Sequence, residues 1–215
     1  IIPMTPDTEG ARQYLGVEAN GRPVVTVMPG SRPAEISGCG AIFFEALERL
    51  IKRTGPVTVL VPAINEEAEK NLLQLAHGYP NVQSSLIVKV GESHKMIEAA
   101  DAVLVASGTA ALECALYKKP MVVGYKMPGL TGLLMEKKGL INCVSLPNIL
   151  LKEKVVPEFL QFFCEPDPIS WALSDAIEND KRRAELVERF SALHESLTAD
   201  TAALASDVIT SIAHK

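Results

Sequence analysis

A chain of 215 residues with 47% apolar and 22% charged residues carries enough apolar material for one sizeable core, which excludes a disordered or fibrous polymer. A net charge of −5, without a basic face interleaved with aromatics, leaves nucleic acid no surface to bind. Cys39, Cys114, Cys143 and Cys164 stand far apart with no C-x-x-C pair, and His77, His94, His194 and His214 show no ligand spacing. We therefore expect reduced, mostly buried thiols in a cytoplasmic protein, no metal site and no bound cofactor.

The chain opens at Ile1 with Ile1-Ile2-Pro3-Met4-Thr5-Pro6, which reads as a linker entered from a longer polypeptide. Asp7 to Leu15 suits a short helix ended by Gly16, so residues 1–22 form a lead-in. Val24 to Met28 is an apolar run of the kind buried on both faces of a parallel sheet. Pro29-Gly30-Ser31-Arg32-Pro33 follows, and Pro33 keeps Arg32 out of the helical region, at the cap of the next helix. That helix spans Ile36 to Arg53, with Phe43, Phe44, Leu47, Leu50 and Ile51 at helical spacing.

Val57 to Val61 and Leu86 to Val90 read as the second and third strands, separated by a helix over Glu66 to Ala76. The Gly91-Glu92-Ser93 turn and a helix from about His94 to Ala100 come next. Val103 to Ala106 form the fourth strand, and Met121 to Tyr125, after Lys118-Lys119-Pro120, the fifth. Pro128-Gly129 opens a short helix with Leu130, Leu133 and Leu134 in register. Val144 to Leu146 reads as a last strand, followed by helices over Val156 to Phe163, Ile169 to Glu178, Arg182 to Leu197 and Thr201 to Ala213. The stretch from Ala99 to Tyr117 holds Asp101, Glu113 and a polar break, so it is core and not a membrane span. Strands alternating with helices define an α/β fold, a doubly wound, Rossmann-like parallel sheet over residues 23–166, with extra helices over 167–215.

The most informative stretch is Ala102 to Glu113, where a buried strand stops at Ser107-Gly108-Thr109 and a helix begins with Ala110 and Ala111. Such a turn aims free backbone N–H groups outward at the positive end of a helix, and its natural occupant is an anion such as a phosphate. Glu113 lies four residues after Thr109, on the same helix face and about 6 Å further along the axis. A carboxylate there reaches from a diphosphate to ribose hydroxyls, or else it is a surface Glu behind an ordinary turn. Ligands of doubly wound sheets bind beyond the carboxyl ends of the strands where strand order reverses. If strands one and four flank that point, Arg32 and the Ser-Gly-Thr turn face one crevice.

Taken together, these loops resemble lipid-A-disaccharide synthase, a bacterial family of two-domain GT-B glycosyltransferases. The resemblance is carried by Met28-Pro29-Gly30-Ser31-Arg32 with Glu35-Ile36, by Ala106 to Glu113, by Pro120 to Tyr125 and by Val144-Ser145-Leu146-Pro147-Asn148. Pro157-Glu158-Phe159-Leu160-Gln161 and Cys164-Glu165-Pro166 continue it, so it runs from about Asp7 to Pro166. It implies the donor-binding half of an inverting, metal-independent enzyme. That enzyme moves 2,3-diacylglucosamine from its UDP donor to 2,3-diacylglucosamine 1-phosphate, giving a β-1,6-linked disaccharide 1-phosphate and UDP.

On that resemblance Gly30, Ser31, Arg32, Glu35, Ser107, Gly108, Thr109, Ala110, Glu113, Asn148 and Gln161 contact the UDP donor. Arg32 stabilises the leaving group, and the turn Gly91 to Met96 holds uracil. Glu35 is read either as orienting Arg32 by an ion pair or as a helix-start charge, and Asn148 and Gln161 either as pocket residues or as loop-capping amides. The family's first domain, with the acceptor site and the general base, is absent from this chain. Peripheral contact with the cytoplasmic face of the inner membrane is implied for the full-length protein. Residues after Thr198 are expected to be underpacked or to pair with another copy as a homodimer. The rival readings are another UDP-sugar GT-B enzyme, such as a UDP-N-acetylglucosamine 2-epimerase, and a non-catalytic nucleotide-binding module.

Overall fold

The computed structural model describes residues 2–18, 20–32, 35–106, 108–126 and 143–198. The expected helices around Leu130 and over Thr201 to Ala213, and Ser107 itself, lie outside the described residues.

The apolar runs form β1 (Val24–Met28), β2 (Thr58–Ala63), β3 (Leu86–Val90), β4 (Ala102–Ala106) and β5 (Met121–Tyr125). With β6 (Glu158–Leu160) they make one sheet in the order β3-β2-β1-β4-β5-β6, every pair parallel. All five residues of β4 are buried, which is why that run carries no polar alternation. The order reverses between β1 and β4, so the expectation that these two strands flank the crevice holds.

The connections are α1 (Thr8–Leu15), a π-helical turn over Ile36–Gly40 that runs into α2 (Ala41–Thr54), α3 (Glu66–Ala76) and α4 (Pro80–Gln83). Then follow α5 (Ser93–Ala99), α6 (Thr109–Leu116), α7 (Leu146–Leu151), a 3-10 turn over Gln161–Phe163, α8 (Pro166–Glu178) and α9 (Asp180–Leu197). One face of the sheet, through Val25, Val27, Val59, Val61, Leu104 and Val122, packs on α2, α3 and α8. The opposite face, through Val103, Val105 and Val123, packs on α6 and on Leu186, Phe190 and Leu193 of α9. Val24 and Leu60 pack beside α1 and α5 through Leu15 and Met96.

Two expectations after β5 are corrected. Val144 to Leu146 is not a strand, because Ser145 sits at the cap of α7 and Pro147 occupies its first turn, where a missing N–H costs nothing. Val156 to Phe163 is not a helix, because Val156 precedes Pro157 and is steered to extended backbone, which feeds β6. The helix expected from Arg182 begins at Asp180 as α9, with Lys181-Arg182-Arg183 in its first turn. Arg182 pairs with Asp175 at 2.8 Å and Arg183 with Asp180, while Asn179 caps the turn through Arg182 N–H.

Candidate functional site

Beyond the carboxyl ends of β1, β2 and β4 lies an open cleft of about 490 Å³, within the range of small-ligand sites. Its floor is Met28 and Ala106, the last residues of the two strands at the reversal point. Gly30, Ser31, Arg32 and Glu35 form one wall, and Gly108, Thr109 and Ala110 form the opposite one.

Local chemistry explains the first wall. Gly30 has φ of +115°, and a Cβ there would fall on the carboxylate of Glu35, so only glycine lets the chain bend this tightly over that side chain. Glu35 Oε2 accepts from the backbone N–H of Ser31 at 3.0 Å and of Arg32 at 3.2 Å, and its Oε1 pairs with the Arg32 guanidinium at 3.2 Å. Both readings of Glu35 are thereby answered: the ion pair is formed, and the same carboxylate also ties down the loop. The Ser31 and Arg32 amides are thus turned inward to Glu35. The Arg32 side chain remains 80% exposed, and it is the cation among the described lining residues.

The second wall is the start of α6. Gly108, at φ of +144°, stands at the cap position, and without a side chain it cannot satisfy the first-turn N–H groups. An anion in the cleft would meet those donors and the positive end of the helix dipole.

The third side was only partly legible. Gly91 and Ser93 line the cleft from the turn into α5, where uracil was expected. Pro62, Ala63 and exposed Ile64 also line it, and sequence reasoning passed over them. The signal was present, since the loop after the strand adjoining β1 must border the crevice.

Glu113 is not among the lining residues and stands one turn behind Thr109, partly exposed at the rim of the cleft. Its Oε1 is 3.9 Å from Nε2 of His94, in the first turn of α5, and His94 Nδ1 is 3.3 Å from the hydroxyl of Tyr117. His94 was not singled out from the sequence. Gln161 sits beyond β6 with φ of +50° and is not among the lining residues.

Asn148 is placed differently from the pocket reading. It is 1% exposed, and its Nδ2 donates to the carbonyl of Val156 at 2.9 Å and to Glu158 Oε1 at 2.7 Å. Its Oδ1 accepts from the N–H groups of Val155 at 2.8 Å and Val156 at 3.0 Å. With both donors and both lone pairs used, Asn148 has the loop-capping role and nothing left for a ligand. Glu158 collects the same loop, accepting from the N–H groups of Val144 and Ser145 and from the Ser145 hydroxyl.

A wholly parallel sheet of this order, with a cleft at its reversal point, defines a Rossmann-like domain, and its structural neighbours are GT-B glycosyltransferases. Solved structures agree on the fold. The glycosyltransferase WaaG, involved in lipopolysaccharide biosynthesis, superposes with a TM-score of 0.64 at 16% identity, over 90% of this chain and 47% of its own. The C-terminal domain of a glycosyl transferase group 1 family protein from Francisella tularensis gives 0.61 at 14% identity, over 90% of this chain and 94% of its own. The family model described as lipid-A-disaccharide synthetase matches residues 1–209, and the chain belongs to that family. It is 42% identical over 209 residues to the lipid-A-disaccharide synthase of Cupriavidus pinatubonensis, and 43% identical over 208 residues to that of Burkholderia vietnamiensis. Each alignment covers 97% of this chain but 51% and 53% of those relatives, so the chain spans about half their length.

Proposed function

We propose that this chain is the donor-binding half of a glycosyltransferase that moves 2,3-diacylglucosamine from UDP to 2,3-diacylglucosamine 1-phosphate. The observation that carries the reading is the pairing, across one cleft, of the exposed Arg32 guanidinium with the uncapped start of α6. The family match supplies the substrates.

In the reaction the bond between the sugar C1 and the β-phosphate oxygen breaks, its electron pair leaving with UDP. The acceptor's 6-hydroxyl bonds to C1 with inversion and gives its proton to a general base. Negative charge grows on the departing β-phosphate, and fixed dipoles plus a cation are what stabilise it without a metal. The N–H groups at Gly108, Thr109 and Ala110 supply the dipoles. Arg32 supplies the cation, and its forked guanidinium suits phosphate oxygens better than an ammonium would. Glu35 holds Arg32 and its loop in place rather than touching the donor, since an anion is poorly suited to face a diphosphate. Glu113 takes the ribose hydroxyls, with the uracil against the Gly91 to Ser93 turn.

The acceptor site and general base are assigned to the part of the relatives' length that this chain does not span. As an isolated half it binds UDP weakly and turns nothing over. In the complete enzyme, lipid substrates bring the protein to the cytoplasmic face of the inner membrane as a peripheral partner. No helix among the described residues is long and apolar enough to cross it.

Calorimetric titration of this chain with UDP tests the reading. Arg32→Ala and Glu113→Ala should each weaken binding by about 1–3 kcal/mol, the worth of a charge-assisted hydrogen bond. Unchanged affinity in both variants overturns it. Comparing diacylated with unacylated UDP-glucosamine separates this donor from that of another UDP-sugar enzyme.

A further inference from the structure

The contact between α5 and α6 at the rim of the cleft has no role in the scheme above. Both helices begin at the cleft, α5 after Gly91 and α6 after Gly108, and His94 in the first turn of α5 faces Glu113 one turn into α6. His94 is 53% exposed and Glu113 34% exposed, so neither is sealed in the core, and His94 is held from behind by a third side chain. Tyr117, the C-terminal cap of α6, follows Glu113 by four residues and its N–H still bonds the Glu113 carbonyl, which places it on the same helical face. Its ring meets the imidazole edge to face, with centroids 5.8 Å apart and planes at 88°, and its hydroxyl lies 3.3 Å from Nδ1. Tyr117 itself is buried, which pushes its phenol up and keeps the hydroxyl protonated and able to donate.

The donor and acceptor roles follow from what each group can do. A carboxylate only accepts, so the hydrogen on Nε2 faces Glu113, and Nδ1 is left to accept from the Tyr117 hydroxyl. The order runs from Tyr117 O–H to Nδ1, then from Nε2–H toward Glu113 Oε1. At 3.9 Å the last contact is longer than a hydrogen bond, and with Nδ1 accepting it is the N–H dipole, not a full charge, that faces the carboxylate. It biases the carboxylate toward α5 without saturating it, which leaves acceptor capacity for hydroxyl groups.

We propose that His94 is a positioning residue for the sugar edge of the nucleotide: held by Tyr117, it fixes the Glu113 carboxylate for the ribose 2′-hydroxyl and so sets selectivity for ribonucleotide over deoxyribonucleotide donors. This deepens the donor-site reading and rests on it. Glutamate has three rotatable bonds, and an unheld carboxylate at the rim would lose rotamer freedom on binding, which weakens any bond it makes. The imidazole removes that cost beforehand.

The test is the ratio of dissociation constants for 2′-deoxy-UDP and UDP, measured by calorimetry on the whole 215-residue chain. The wild type should prefer UDP by about ten- to a hundred-fold, as one hydrogen bond to a charged group would give. His94→Phe keeps a ring against Tyr117 but has no N–H, and should bring the ratio to within about two-fold while leaving 2′-deoxy-UDP affinity in place. His94→Gln, whose amide nitrogen reaches the position of Nε2, should restore most of the preference. A purely structural histidine would weaken both ligands together, and that result, or an unchanged ratio in His94→Phe, overturns the proposal while the donor site stands. A wild type that binds UDP with no 2′-hydroxyl preference also overturns it and removes Glu113 from the ribose. If the folded chain binds neither nucleotide, the donor-site reading falls together with it.

Discussion

At Glu35 and Asn148 the same question, ligand or scaffold, could be put to the sequence, and packing answers it. The three-residue step from Arg32 to Glu35 made an ion pair legible, because that spacing brings side chains together. That Glu35 also gathers the Ser31 and Arg32 amides was not legible, since it depends on the backbone at Gly30, where a left-handed φ folds the loop over the carboxylate. Asn148 sits among motif residues, so a resemblance alone draws it toward the ligand. Its four hydrogen bonds show instead an amide that closes the loop between α7 and β6. Asn148→Leu leaves the Val156 N–H and the Val156 carbonyl without the Asn148 amide in a buried site, while the Val155 N–H keeps only its bond to the Glu153 carbonyl. A loss of about 3 kcal/mol or more is expected. Urea titration measures it, and UDP affinity of the folded fraction should stay within about two-fold of wild type. A large loss of affinity in a stable variant would return Asn148 to the ligand.

Among elements, the amphipathic helices were legible from their period, and the buried strands as short apolar runs closed off by turn residues. β6 was not, because three residues show no period, and the cues that create it, Pro157 behind and a positive φ at Gln161 ahead, act through the backbone alone. β5 offers a test of how closely elements fit. A Cβ built at Gly124 would lie 2.6 Å from Cε1 of Phe43, so the buried α2 ring rests directly on the β5 backbone. Gly124→Ala should cost about 1–3 kcal/mol by overpacking. Phe43→Leu alone should also destabilise, by opening a cavity. The double variant should lose less than the sum of the two, a coupling that contacting residues show and distant ones do not. Additive thermal shifts would mean that the ring moves aside without cost.

For the whole molecule, the sheet order places the cleft, and the apolar runs made the strands legible but left their order as a condition that the structure meets. How the last described helix fastens to the rest was not legible. α9 lies across α6 through Leu186, Phe190 and Leu193, and its His194 meets Lys118 in the turn between α6 and β5, with Nζ 2.6 Å from Nδ1. His194 is 5% exposed, and burial first, with the Lys118 charge second, lowers its pKa below the ordinary 6.5. The folded chain therefore holds this imidazole neutral, with Nδ1 accepting from the ammonium. Above about 6.5 neither folded nor unfolded chain protonates it, and its contribution to stability is constant. As pH falls below 6.5 the unfolded chain takes up a proton that the folded chain resists, so stability declines until the folded pKa is passed. Thermal unfolding between pH 7.5 and 5 should show this slope in the wild type. His194→Gln, which keeps an acceptor for Lys118 but cannot be protonated, should flatten it by the contribution of that one group. Because α9 braces the helix whose first turn faces the cleft, UDP affinity should fall in the wild type as folded His194 takes up its proton, at a pH below the one where stability begins to decline, and not in the variant. Parallel acid profiles in both proteins would place the sensitivity elsewhere and make the Lys118 contact a passive one.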